Sequence, residues 1–214
     1  MHGSSYTFSH AIVRAVPDSA VGGLRAVDVG APDLDRFRGH HADYVAALRR
    51  AGVAVTELPA SEAFPDSMFV EDAALCLPQG AVVMRPGAPS RLGEADAMAP
   101  HLRDCYSEVA CIGGPGHVEG GDILVGDTEI MVGLSDRTDA AGVAELGSTV
   151  APWGWTIRIV ETPPGVLHFK TDCSLMDSAT VLATPRLAAS GCFAGYAVIE
   201  TAAGEEACAN AIRV

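Results

Sequence analysis

The sequence predicts an α/β fold made of repeated strand–turn–strand units with helical links between them. Three observations carry that expectation. Aspartates stand at 72, 122 and 172, a spacing of 50 residues twice over. Each opens an apolar stretch followed by a turn and a second apolar stretch, beginning at Phe69, Val118 and His168 respectively. Glycine (23 residues) and proline (13 residues) recur at short intervals, which keeps the elements short. If such units pack around an axis, their polar strand starts meet at one end and build a site there.

Taken in order, residues 10–16 form the first expected strand. Asp33, after Pro32, is a helix N-cap, and Leu34, Phe37, Tyr44, Val45 and Leu48 recur at helical spacing until Gly52 stops the helix. Strands follow at 54–58, 73–77 and 81–85, the last two joined by Pro78, Gln79 and Gly80. A second helical stripe comprises Leu92, Ala95, Met98, Ala99 and Leu102, which Pro100 is expected to kink or divide. Strands at 122–125 and 129–132 form a hairpin about Gly126 and Asp127. A third helix runs from about 138 to 150 with Val143, Leu146 and Val150 on one side, although Gly142 and Gly147 weaken it. Strands at 156–160, 173–176, 180–183 and 197–199 complete the chain, Asp177 and Ser178 turning the last hairpin.

The chain of 214 residues suffices for one core, and no linker divides it, so a single domain over 1–214 is expected. Apolar residues at 49%, charged residues at 19% and a mean hydropathy of +0.23 exclude a disordered tail. No apolar run reaches the roughly 18 residues of a membrane span. The start, from Met1 to Ser5, lacks the basic and apolar regions of an export signal. Six cysteines at 76, 105, 111, 173, 192 and 208 are dispersed, with no C-x-x-C pair, so a reduced, cytoplasmic protein is expected. The 27 acids against 14 Lys and Arg give a net charge of −13, which repels phosphate backbones and argues against nucleic-acid binding. An acidic field suits a cationic small molecule, although many acidic proteins carry such a charge for solubility alone.

Several motifs carry no chemistry. The glycine-rich stretch 113–121 is neither G-x-G-x-x-G nor a phosphate loop, and Glu119 within it repels phosphate. His117 and Glu119 form an H-x-E pair without the P-C-x-x-C that completes a deaminase zinc site. His40 and His41 lie on the outer side of the first helix, and no metal site is expected. The stronger constellation is Asp66, Glu71, Asp72 and Glu119 with Arg91, Arg137 and His168. Carboxylates at the entry to an apolar strand call for partners, and a guanidinium matches them bidentately. The partner is a ligand or one of the chain's own arginines, or else the acids simply cap a strand at the surface. His168 stands where Glu71 and Glu119 stand in the other repeats, a position suited to a general acid and base.

Five stretches resemble one known family. They are Phe64-Pro65-Asp66-Ser67-Met68-Phe69-Val70-Glu71-Asp72, Arg85-Pro86-Gly87-Ala88-Pro89-Ser90-Arg91-Leu92-Gly93-Glu94, Val118-Glu119-Gly120-Gly121-Asp122, Gly133-Leu134-Ser135-Asp136-Arg137-Thr138 and Leu167-His168-Phe169-Lys170-Thr171. In this order they are similar to the dimethylarginine dimethylaminohydrolases, and the resemblance extends from Ile12 to Val214. Arginine and agmatine deiminases are relatives of that family.

The resemblance implies a pentein fold, a β/α-propeller of ββαβ-like repeats with pseudo-fivefold symmetry, whose last repeat is incomplete in this chain. It implies hydrolysis of N-methylated arginines to citrulline and methylamine or dimethylamine, without a cofactor. It places Leu24, Asp66, Glu71, Asp72, Arg91 and Arg137 among substrate-binding residues, Glu119 as an active-site acid and His168 as the catalytic histidine. The family nucleophile is a cysteine in a Gly-Gly-x-[ST]-Cys context, which these residues lack. It is expected beyond Val214, with Cys173 and Cys208 as packed thiols and the 214-residue chain itself inactive. The alternatives are an arginine- or agmatine-type deiminase and a non-catalytic guanidino-binding fragment; a homodimer is compatible with each.

Overall fold

Apolar runs of three to six residues cannot bury themselves alone, so this chain folds as small sheets stacked against one another and against helices. Residues 8–25 and 30–214 are described by the structure, a computed structural model. The first unit pairs β1 (His10–Arg14) in parallel with β2 (Ala54–Leu58), and α1 (Leu34–Arg50) makes the crossover. Asp33 caps α1 as expected, its carboxylate accepting the Arg36 N–H at 3.0 Å. Val45 and Leu48 of α1 pack on Val13 and Val53. Tyr44, placed in the apolar stripe by spacing, is 45% exposed, because a two-stranded sheet covers only a narrow side of the helix.

Three further units share one plan, an antiparallel hairpin followed by a helix and a third strand parallel to the second. They are β3 (Ala74–Leu77), β4 (Gly80–Val83), α2 (Leu92–Cys105) and β5 (Val109–Cys111); then β6 (Ile123–Val125), β7 (Glu129–Leu134), α3 (Ala140–Val150) and β8 (Thr156–Glu161); then β9 (Cys173–Leu175), β10 (Thr180–Ala183), α4 (Pro185–Ala188) and β11 (Ala197–Glu200). The repeat read from the aspartates is therefore structural. β5 escaped the sequence reading, being three residues long and only half-buried at Val109 and Ala110. The last unit has its own helix, of four residues, which the sequence reading also missed.

Pro100 does not divide α2, which runs from Leu92 to Cys105 without a break. The hydrogen bond it forgoes is the one to Asp96, and both residues face solvent, while Ala95, Met98, Ala99 and Leu102 bury the other face. Strand β6 is buried on both sides. In β6, Ile123 and Val125 join Leu75, Val82 and Leu146 in one core, whereas Leu124 joins Phe169, Leu175 and Val181 in the next. Among the described residues, no helix is long and apolar enough to cross a membrane.

A short 3-10 turn precedes each hairpin, at Val70–Ala73, Gly120–Asp122 and Phe169–Thr171. The first turn packs on the second and the second on the third, so the polar strand starts converge as expected.

Candidate active site

Two glycines make that convergence possible. A Cβ on Gly120 would lie 1.9 Å from the Glu71 carbonyl oxygen. One on Gly121 would lie 2.7 Å from Asp72 Oδ1 and 2.9 Å from His168 Cγ. Both positions must therefore be glycine for the three turns to touch. Glu119 and His168 are the extended residues immediately before the second and third turns. They are equivalent to each other, but Glu71 lies inside its own turn, so the sequence equivalence of Glu71 with them does not hold.

Glu119 is 0% exposed and is held on both oxygens. Its Oε2 lies 2.7 Å from His168 Nε2, and its Oε1 accepts the Gly87 N–H at 2.9 Å and faces Arg137 at 3.5 Å. Burial pushes the Glu119 carboxyl up, but the His168 hydrogen bond and the charges of His168, Arg137 and Arg91 carry it below its ordinary value. Burial pushes His168 down, but the Glu119 hydrogen bond and the charges of Asp72, Asp122 and Glu119 carry it above the ordinary histidine value. Both shifts favour the imidazolium–carboxylate form of the pair, with the proton on the imidazole.

Beneath it, Asp122 accepts hydroxyl hydrogens from Ser135 and Thr138, both at 2.7 Å, and the Phe169 N–H at 2.8 Å. Thr138 Oγ1 also accepts the Glu119 N–H at 3.1 Å. Asp172, the third repeat aspartate, turns away to Thr184 and Arg186.

On the other side of the cluster, Asp72 Oδ1 accepts the Gly121 N–H at 2.9 Å and Asp72 Oδ2 meets Arg91 at 2.5 Å. Arg91 is 4% exposed and also bonds Glu94 and the carbonyls of Phe69 and Asp66. Asp66 accepts the Leu24 N–H through both oxygens, at 3.0 and 3.3 Å, and Leu24 itself is half-exposed. These two residues line a cavity of about 270 Å³ with Phe37, Pro65, Met68 and Phe69. Glu71 is exposed and pairs with Lys170 of the third turn at 2.7 Å. The arginine alternative therefore holds for Asp72 and Glu119, whose partners are Arg91 and Arg137.

Asp72, Glu119 and His168 each offer one ligand atom, all within 4.8 Å of one another, the spacing of a metal site. Both carboxylates already accept bonds, Asp72 from Arg91 and the Gly121 N–H, and Glu119 from the Gly87 N–H, Arg137 and His168. That set suits holding and moving a proton more than holding a cation. Burial raises the Cys173 thiol out of the reactive range, and the groups that face His168 are carboxylates. Glu94 was missed by the sequence reading, although it shares a face with Met98 and Leu102 at i, i+4 and i+8.

The likenesses to known proteins are of one kind. Residues 98–210 match a family model described as arginine deiminase. The N(G),N(G)-dimethylarginine dimethylaminohydrolase of Pseudomonas aeruginosa is 35% identical over 208 residues, which make up 97% of this chain and 82% of that protein. The protein of that name from Streptomyces coelicolor is 38% identical over 141 residues, 65% of this chain and 54% of its own length. A solved structure of the Pseudomonas aeruginosa enzyme, a cysteine-to-serine mutant complexed with citrulline, matches with a TM-score of 0.93 and 34% identity over 98% of this chain and 82% of that one. An amidinotransferase from Microseira wollei, at 13% identity and a TM-score of 0.78 over 93% of this chain and 74% of that one, shares the fold alone.

Proposed function

Because the chain belongs to the dimethylarginine dimethylaminohydrolase family, with the pentein-type α/β fold, we propose that it acts on N-methylated arginines, giving citrulline and methylamine or dimethylamine. The observation that carries this reading is the buried cluster of Asp72, Glu119 and His168, two carboxylates around one raised histidine. A guanidinium carbon is a poor electrophile because its charge is delocalised, so the site must hold it in plane for attack. Asp72 and Asp66 are assigned that task, with Glu71 and Leu24 at the rim. Arg137, the more exposed of the two arginines, takes the substrate carboxylate, and Arg91 supports the wall through Asp72.

In the reaction so assigned, a thiolate adds to the guanidinium carbon and the C–N bond to the methylated amine breaks. His168 gives its proton to that leaving nitrogen, and a thiouronium remains. His168, now neutral, takes a proton from water, whose oxygen adds to the same carbon. The C–S bond then breaks as the added hydroxyl loses its proton to solvent, releasing citrulline and the thiolate. Glu119 keeps the imidazole oriented and favours its charged form in the first half. Cys173 is not assigned the thiolate, because its burial raises the thiol.

The match to an arginine deiminase model favours unmethylated arginine as the second reading. Calorimetric titration of the purified chain with dimethylarginine and with arginine separates the two. Binding of dimethylarginine in preference to arginine, weakened about tenfold or more by Asp72→Asn, is the expected result. A folded chain that binds neither would overturn the assignment.

A further inference from the structure

Glu94 lies in the first turn of α2 and is buried, with both oxygens committed to one side chain. Arg91 Nε donates to Oε2 at 2.9 Å and Arg91 NH2 donates to Oε1 at 2.5 Å. A two-point grip of this kind fixes the plane of a guanidinium, which a single bond leaves free to swing. With that edge held, the rest of the group has one direction left. NH1 meets Asp72 Oδ2 at 2.5 Å, and NH2 meets the carbonyls of Phe69 at 3.0 Å and Asp66 at 3.4 Å. The second oxygen of Asp72 is taken by the Gly121 N–H at 2.9 Å. Asp72 is therefore fixed at both oxygens, with one of them within 4.8 Å of a Glu119 oxygen and a His168 ring nitrogen.

A pair spaced three residues apart on a helix is ordinarily a surface feature, and an acid in the first turn is favoured there without burial. Here the acid points inward between two arginines. Arg14 of β1 stands behind it, donating from NH1 to the Pro59 carbonyl at 3.0 Å and lying against Met98 Sδ at 3.2 Å, with the Glu94 charge acting on it. Burying this carboxylate brings the helix nothing that an exposed one would not. What it adds is a fixed Arg91, and through it a fixed Asp72 and a fixed 66–69 backbone.

We propose that Glu94 is a positioning residue, which aims Asp72 into the site through its fork on Arg91. Arg91 is then the arm of this device. The inference rests on the proposed function of the site, but its first readout needs no substrate.

That readout is the titration of His168, followed by NMR in the full chain, in Glu94→Gln, in Asp72→Asn and in the double variant. His168 is faced by Glu119, Asp72 and Asp122, and Arg137 and Arg91 act on Glu119. Loss of the grip lets Arg91 turn onto Asp72 and draw it from the imidazole. Glu94→Gln is expected to lower the His168 pKa by about half a unit. In the Asp72→Asn background the same change is expected to be nearly silent. Equal shifts in both backgrounds mean that Glu94 acts by its charge alone, and overturn the proposal. Arg91→Lys, which keeps the charge but cannot fork, replaces Glu94→Gln if that variant fails to fold. It must lower the His168 pKa with Asp72 present, and an unchanged titration overturns the proposal. In calorimetry with dimethylarginine, Glu94→Gln is expected to weaken binding about tenfold, and to add little to Asp72→Asn. A wild-type chain that binds no dimethylarginine defeats the functional reading, while the His168 titrations still decide the role of Glu94.

Discussion

At His168 and Glu119, burial and charge act against each other on the same two atoms. Burial alone would strip the charge from both, and their contact at 2.7 Å keeps it. The histidine is raised and the acid lowered, which fixes how stability must follow pH. The raised histidine contributes stability that is fully present below the unfolded histidine value, about 6.5, and is lost as pH climbs through the folded value. The lowered acid contributes stability that is present above the unfolded glutamate value, about 4.3, and is lost as pH falls through the folded one. Their contribution is therefore greatest between those limits. Glu119→Gln should cost most near pH 5.5 and less at pH 9, as urea denaturation at the two values would measure. The same variant should lower the His168 pKa, because the Glu119 hydrogen bond does most to hold it up against burial. A titration unchanged in Glu119→Gln would mean that the two side chains do not share this proton.

For the elements, the contrast between two helical glycines is the sharpest test of local against tertiary preference. Gly39 in α1 has nothing within 4 Å of where a Cβ would stand, whereas at Gly142 in α3 that atom would lie 2.2 Å from the His117 carbonyl oxygen. Helix propensity alone favours alanine at both by about 1 kcal/mol. Gly39→Ala should follow propensity and stabilise by about 0.5–1 kcal/mol. Gly142→Ala should reverse the sign and destabilise by about 1–3 kcal/mol, since a backbone atom must give way. Urea midpoints of the two variants that moved in the same direction would refute the contact at His117. The sequence showed α3 and its apolar side, and it flagged Gly142 only as a weakness; that the glycine is an asset depends on a residue 25 positions away. The Asp33 cap and strands 54–58 and 180–183 were legible because local chemistry decides them. The continuity of α2 through Pro100 was not, because buried Ala95, Met98, Ala99 and Leu102 outweigh one lost bond on the solvent side. Glu94 was hidden for a related reason, since an Arg and a Glu three apart look like a solvated pair until the apolar face of α2 is seen to include position 94.

Across the molecule, the repeat aspartates explain why polar turns sit in the middle of an apolar stack. Asp72 accepts an N–H from the second turn, at Gly121, and Asp122 accepts one from the third, at Phe169. Each thus joins its own unit to the next, so the 50-residue spacing seen in sequence is the spacing of these joints. The sequence could reveal the period but not the joints, because the partner N–H groups belong to unremarkable positions. Asp122 is the more heavily committed, with two hydroxyls and one N–H on a carboxylate that burial pushes above its ordinary value. Asp122→Ala would leave the Ser135 and Thr138 hydroxyls and the Phe169 N–H without it. The expected cost is about 3–5 kcal/mol, several times the value of one ordinary hydrogen bond. If the chain is one cooperative domain, that loss moves every probe together. Trp153 and Trp155 report on the second and third units, through Glu108 and Gln79, and the His168 resonance reports on the third turn. Their denaturation curves should coincide in the wild type and shift by the same amount in Asp122→Ala. Curves that separate in the variant would show that the joint at Phe169 carries the coupling between units. Curves that separate already in the wild type would show that the stacked sheets unfold independently, and that the aspartates serve the site and not the whole.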